Sequence, residues 1–168
     1  MAGGHLPVYG RDYDSVYAPV ADFNIVRLVL ILSLQNNWHT RHIDVTAAFL
    51  NGDMDREAFV KLPYNLPKKL RLDMIYRLKK ALYGLKQAPL QWFRKLRDVL
   101  FHSMSYEQLF CDGSIFKGET TSGGVPVQIL ILVYVDDILS VCADNDSLNE
   151  AVSQFLKEFK GTDEGNLS

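Results

Sequence analysis

Two adjacent carboxylates, Asp136 and Asp137, interrupt an apolar run that extends from Ile129 to Val141. Such a run reads as buried sheet, and an ionised carboxylate buried there without a partner costs far more than one domain can offset. The pair must lie at a solvated turn or beside a positive charge. A divalent cation at the tip of a β-hairpin meets both conditions, and Mg2+ with oxygen ligands is the usual occupant. That chemistry points to phosphoryl transfer. A turn role alone explains the pair poorly, because two-residue hairpin turns favour a following glycine. Holding two cations, ~3.5–4 Å apart, needs a third carboxylate; one ion then lowers the pKa of an attacking hydroxyl and the other stabilises the leaving oxygen. Asp44 is the best candidate, at the end of a strand between Ile43 and Val45 with the small Ala47 and Ala48 following. Taken alone, a strand-end aspartate is more often a turn or cap residue.

Two further constellations stand out. Phe49 lies just beyond Asp44, where a rigid aromatic could stack under a sugar and exclude a 2′-hydroxyl; core packing is the plainer reading. The segment Leu82-Tyr83-Gly84-Leu85-Lys86-Gln87-Ala88-Pro89 combines a glycine, a basic residue, an amide and a helix start. A helix amino terminus suits phosphate binding, and Gly84 would admit close approach of a base or ribose. An ordinary loop before a Pro-initiated helix is about as good a reading on these residues alone. His39, His42 and His102 have no metal-ligand spacing with Cys111 or Cys142, so a zinc site is not expected. Trp38 and Trp92 read as packing aromatics.

The elements that must position these groups come from 168 residues, enough for one domain with a real core. A hydrophobic content of 48% with 23% charged residues is that of a globular protein. Two cysteines make no disulfide framework and fit a reducing, intracellular setting. The apolar runs are shorter than the ~20 residues of a membrane span, and the amino terminus lacks a signal-peptide pattern. Net charge is −2, yet from Lys61 to Arg97 eleven basic residues face one acid, Asp73, for +10 against −12 elsewhere. A basic block beside an acidic region suits an enzyme that grips phosphates with one part and collects metal with the other. A solvated positive face is the competing reading.

Asp22 or Asn24 can cap a helix to about Gln35, ended by Asn36-Asn37. A strand is expected over His39–Val45, a helical turn over Ala47–Leu50, and a turn at Asn51-Gly52. Strands follow over Ala58–Leu62 and Met74–Leu78, separated by a Pro/Lys-rich loop from Tyr64 to Asp73. Pro89 opens a helix through Leu100. Ser114–Lys117 reads as a short strand and Thr120–Gly124 as a flexible turn. Val127–Val135 and Ile138–Cys142 form the hairpin around the aspartates. Ser147 to Glu150 matches a capping box opening a last helix to about Phe159. Strands and helices mix without a βαβ repeat, so the expected class is α+β.

Taken in order, Ile43-Asp44-Val45, Ala48-Phe49-Leu50-Asn51-Gly52, Leu82 to Pro89 with Gln91-Trp92, and Tyr134-Val135-Asp136-Asp137 resemble the reverse transcriptase of copia-type LTR retrotransposons. Tyr17-Ala18-Pro19-Val20-Ala21 and Leu78-Lys79-Lys80-Ala81 extend the likeness over nearly the whole chain, from about Tyr9 to Ser168. The resemblance implies a right-hand polymerase palm with partial fingers, an antiparallel sheet with helices packed on one face. Partial fingers would span about 9–38, with palm and intervening fingers elements over about 39–168 and no thumb or RNase H. It implies Asp44, Asp136 and Asp137 as the catalytic, metal-binding triad for two Mg2+, with Mn2+ a possible substitute. Phe49 would be the steric gate against ribonucleotides. Tyr83, Gly84, Lys86 and Gln87 would contact nucleotide and template. The implied partners are an RNA or DNA template, a primer 3′ end, a dNTP and the rest of the Pol polyprotein with its integrase and RNase H, with no membrane. The setting would be intracellular, and cytoplasmic in virus-like particles if the parent element is active.

The likeness has gaps. Met1 to Pro7 stand where the family has a basic fingers strand, and the chain stops at Asn166-Leu167-Ser168, before a primer-gripping hairpin and thumb. Thr46-Ala47 replaces a more usual Lys-Thr, and Leu90 replaces a usual arginine. A non-catalytic remnant that binds nucleic acid or metal weakly is therefore the alternative reading. A generic metal-dependent nuclease accounts for the carboxylates but not for Phe49 or the Leu82–Pro89 segment. Exposed apolar surface, and with it self-association, is expected where a thumb would dock.

Overall fold

A computed structural model describes residue 10 and residues 15–61 and 75–166. The expected loop at 64–73 and the residues preceding Gly10 lie outside the described residues. Antiparallel strands and helices alternate irregularly, which is the α+β class. The chain divides into two compact units, one from residues 1–18 and 49–95, the other from 19–48 and 96–168.

The second unit is a six-stranded antiparallel sheet with the order β4-β5-β6-β7-β1-β8. Its strands are β1 (His39–Val45), β4 (Glu107–Gln108), β5 (Ile115–Ser122), β6 (Val125–Tyr134), β7 (Asp137–Cys142) and β8 (Gly161–Gly165). Strand side chains alternate between faces. Leu132 on β6 and Leu139 and Val141 on β7 share a face with Ile115 and pack against Val29 of α1 (Phe23–Gln35), with Ile25, Val26 and Trp38 around them. Ile129, Ile131 and Val133 of β6, Ile138 of β7, and Ile43 and Val45 of β1 point to the other face and are buried as well. There α3 (Asn145–Glu158) packs on β1, β5 and β7, and Asn149 of α3 accepts a 2.6 Å bond from Arg41. Helices thus cover both faces, which corrects the expected one-faced arrangement. The physical reason is the uninterrupted apolar stretch Ile129 to Val133, because consecutive rather than alternating apolar residues need cover on two sides. The outer side of α1 leaves Leu28, Ile31 and Leu34 exposed.

Helix ends follow local chemistry. Asp22 caps α1 by accepting from the Asn24 N–H at 2.7 Å, and Asn37 takes a left-handed φ of 54° just past its end. At α3 the cap is Asp144, whose carboxylate accepts from the Ser147 N–H at 2.8 Å. The expected capping box at Ser147 is displaced by three residues, since a carboxylate at a helix amino terminus outcompetes a hydroxyl in the first turn. Strand β5 runs on to Ser122, so the expected turn at Thr120 shrinks to Gly123-Gly124, both at positive φ.

The first unit holds a two-stranded sheet of β2 (Phe59–Lys61) and β3 (Ile75–Arg77). It also holds the start of α2 (Ala88–His102) and a small core of Ala81, Leu85 and Ala88 ringed by Phe49, Met54, Leu78 and Leu82. Gly52 is there for space rather than turn geometry: a Cβ would sit 2.7 Å from the Gln91 carbonyl carbon and the Trp92 nitrogen of α2.

Candidate active site

Register places the second unit's acids. On β1 and β7, Asp44 stands directly opposite Asp137, and Tyr134 of β6 is the next partner of Asp137. On its other side Asp44 faces Thr162 of β8. Opposed residues of an antiparallel pair project to one face. Tyr134, Asp137, Asp44 and Thr162 therefore form one row across four strands, on the face that α1 covers further along. Phe23, the first residue of α1, meets the Tyr134 ring edge-on at 5.4 Å. Asp44 is exposed and Asp137 half-exposed.

Asp136 occupies the second of two turn residues between β6 and β7, and its carbonyl accepts from the Val45 N–H at 3.0 Å. Val135, the first, has φ of 59°. A left-handed first residue alone is the pattern of the type II′ hairpin turn, which ordinarily takes glycine there. A β-branched residue in that region is a strained outlier. The expected turn at Asp136-Asp137 is thus moved one residue earlier, with Asp137 paired in β7 and the strain at Val135.

Among the described residues neither Asp44 nor Asp136 forms an ion pair with a basic side chain. Among the described residues Asp137 has one polar side-chain partner, His42, whose Nε2 lies 2.8 Å from its Oδ1. Two carboxylates directly opposed repel each other, and among the described residues no Lys or Arg on the strands neutralises them. The donor set suits Mg2+, being hard carboxylate oxygens open to solvent. The residues fit a divalent cation by chemistry and placement. They are not a finished cage, because among the described residues no three His, Cys, Asp or Glu side chains are gathered closely enough to share an ion.

Sequence reasoning missed two supports of this row. One is Gly161 on β8, where a Cβ would stand 2.6 Å from the Asp44 carbonyl oxygen, so only glycine lets β8 lie against the end of β1. The other is His42, which lacks zinc spacing and so drew no role. Its position two residues before Asp44 on one strand is the signal that could have found it.

The first unit brings its own expected residues together. The Phe49 and Tyr83 rings stack at 4.3 Å with a 39° tilt. The Leu82 carbonyl accepts from the Leu85 N–H at 3.1 Å, and Gly84 has φ of 96°, as the third residue of a type II turn requires. Gln87 is 2% exposed, with its Oε1 lacking a partner among the described residues, while Lys86 is exposed. The basic block is less free than its composition suggests. Lys80 pairs with Asp53 at 2.6 Å, Arg77 with Glu57 at 3.0 Å and Arg94 with Asp55 at 3.2 Å. The acids that neutralise it come from just outside the basic segment.

A family model described as reverse transcriptase (RNA-dependent DNA polymerase) matches residues 1–168. The chain belongs to that family. Among the chain's relatives is the Retrovirus-related Pol polyprotein from transposon TNT 1-94 of Nicotiana tabacum, 31% identical over 93% of this chain and 11% of the relative. The corresponding polyprotein from transposon RE2 of Arabidopsis thaliana is 33% identical over 95% of this chain and 11% of the relative. The Transposon Ty1-NL2 Gag-Pol polyprotein of Saccharomyces cerevisiae is 27% identical over 77% and 7%. These are copia-type elements, as the motifs indicated. The chain spans about a tenth of the length of these relatives. No solved structure matches it. Among its described residues no helix is long and apolar enough to cross a membrane.

Proposed function

We propose that the chain is the nucleotidyl-transfer region of a copia-type reverse transcriptase, adding deoxynucleotides to a primer 3′-hydroxyl under direction of an RNA or DNA template. One observation carries the reading: Asp44 and Asp137 are opposed in register on an exposed face, with Asp136 on the adjoining turn and, among the described residues, no Lys or Arg to neutralise them. Acids kept that way destabilise the fold unless a cation uses them.

In this reading Asp44, Asp136 and Asp137 hold two Mg2+, which Mn2+ can replace. Bound metal supplies stabilisation of the charge that builds on the attacked phosphate and acidifies the attacking hydroxyl. The protein contributes position. The β6–β7 turn fixes two carboxylates relative to each other, and β8 fixes the end of β1 that carries the third. A new P–O bond forms between the primer 3′-oxygen and the α-phosphorus of the dNTP, and pyrophosphate leaves. Phe49, its ring braced by Tyr83, is the gate against a 2′-hydroxyl. Gly84, Lys86 and Gln87 contact nucleotide and template, and the unpartnered amide oxygen of Gln87 awaits a donor. The sheet unit corresponds to the palm and the unit of residues 49–95 to fingers. This division draws residues 19–38 into the palm. The remaining Pol segments, integrase and RNase H among them, are the partners in the full polyprotein.

Primer extension on poly(rA)/oligo(dT) with Mg2+ or Mn2+ tests the reading. Short, non-processive addition is expected, abolished by Asp136→Asn. Extension that survives the substitution overturns the assignment. No extension and no dNTP-dependent metal binding leaves a remnant without catalysis, and degradation of a labelled duplex without dNTPs would make the chain a nuclease.

A further inference from the structure

The imidazole of His42 has no role in the proposed chemistry, yet among the described residues it is the one polar side chain on Asp137. It stands on β1 opposite Leu139, one row further along the same face that carries Asp44 and Asp137. Its Nε2 reaches diagonally across the strand pair to Asp137 Oδ1 at 2.8 Å. Diagonal neighbours on paired strands are within reach of a long side chain. An ionised carboxylate only accepts, so the imidazole donates from Nε2. Core packing does not explain the residue, whose side chain is 31% exposed. Zinc binding does not explain it either, since it belongs to no cluster of three metal-ligating side chains among the described residues.

We infer that His42 is a positioning residue for the metal site: its Nε2–H holds the Asp137 carboxylate in one orientation, with Oδ2 left for a divalent cation. This deepens the proposed function and rests on it. The physical reason is pre-organisation. A half-exposed aspartate on a strand end samples several orientations, and a cation that must freeze it loses affinity accordingly. A hydrogen bond from a neighbouring strand removes that freedom beforehand. It also draws one oxygen of Asp137 toward an N–H dipole, which offsets its repulsion with Asp44. Partners of metal ligands typically carry tenfold to hundredfold of affinity.

Mn2+ titration of the full 168-residue chain, followed by the electron paramagnetic resonance signal of free ion, reads this without turnover. His42→Ala is expected to weaken Mn2+ binding about tenfold to hundredfold. His42→Gln, whose amide nitrogen can stand where Nε2 stands, is expected to bind close to the parent. Asp137→Asn is expected to lose the site, and thermal melts confirm that each variant is folded. If Asp137→Asn loses Mn2+ while His42→Ala binds as tightly as the parent or tighter, the histidine is a bystander or a competitor and the inference falls alone. It falls in the same way if His42→Gln loses as much affinity as His42→Ala. If parent and Asp137→Asn bind alike, the metal reading falls and takes the inference with it.

Discussion

Each unit of the chain carries three acids close together in sequence or in register, and they are treated in opposite ways. In the unit of residues 49–95, Asp53, Asp55 and Glu57 each meet a cation, namely Lys80, Arg94 and Arg77. In the sheet unit, Asp44 and Asp136 meet none among the described residues, and Asp137 meets only an imidazole. Carboxylates in the first set brace a region with a two-stranded sheet and a small core. Those in the second are placed by strand pairing, with one imidazole on Asp137 and no Lys or Arg partner among the described residues, so their charge is available to something else. Composition cannot tell the two sets apart; partners can.

The contrast breaks most sharply on activity. Asp44→Asn or Asp137→Asn is expected to lower primer extension about a thousandfold, the scale of several kcal/mol of lost charge stabilisation. Asp53→Asn, Asp55→Asn and Glu57→Gln are expected to leave it within about tenfold, as exposed ion pairs contribute little. Equal losses in both sets would erase the distinction. Next come the two glycines pressed against backbone. Gly52→Ala and Gly161→Ala are each expected to cost about 1–3 kcal/mol in urea unfolding. Only Gly161→Ala, whose Cβ would push on the Asp44 carbonyl, is expected to reduce Mn2+ affinity as well.

Smaller effects carry opposite signs. Without metal, Asp44→Asn relieves opposed like charges and is expected to raise stability by about 0.2–1 kcal/mol. Lys80→Ala or Arg94→Ala is expected to lower it by about 0.2–1 kcal/mol. A rise on both sides would mean that the 53–57 acids are not braced by their cations. The smallest effect is a pH dependence. The ammonium hydrogen-bonded to Asp53 holds that carboxyl below its usual range, with the nearby charges of Lys80 and Lys95 adding to this. A depressed folded pKa gives stability that is present above the unfolded value of about 4 and lost as pH falls through the folded one. The stability gap between parent and Lys80→Ala is therefore expected to be full at about pH 6 and to narrow below about pH 4, as read from urea midpoints.

Much of the sheet unit was legible because its signals are local and strong. Asp22 caps α1 where a cap was expected and β1 runs over His39–Val45, while the hairpin turn falls on Val135-Asp136, one residue before the expected Asp136-Asp137. Strand β8 was not legible, since Gly161-Thr162-Asp163-Glu164-Gly165 has no apolar alternation; it is a strand because β1 offers it an unpaired edge. The brief β4, Glu107–Gln108, escaped notice for the same reason. The acids were legible as chemistry but not as geometry. Which strand pairs with which decides that residue 44 faces residue 137, and that pairing joins segments far apart in sequence. His42 and Gly161 matter only once the pairing is known. In the other unit, the ladder of pairs from Asp53 to Arg94 was hidden because its acids lie outside the basic segment they neutralise.

Val135 is the residue at which ease of folding and fixity of the tip pull apart. Glycine would take its backbone angle without effort and would leave the loop loose, so that the oxygens on either side wandered. Valine resists that angle, and its branched side chain has few rotamers to choose from. Once the ladder forces it into place, the bend is stiff. The difficulty of building this corner is what keeps residues 136 and 137 from drifting after it is built.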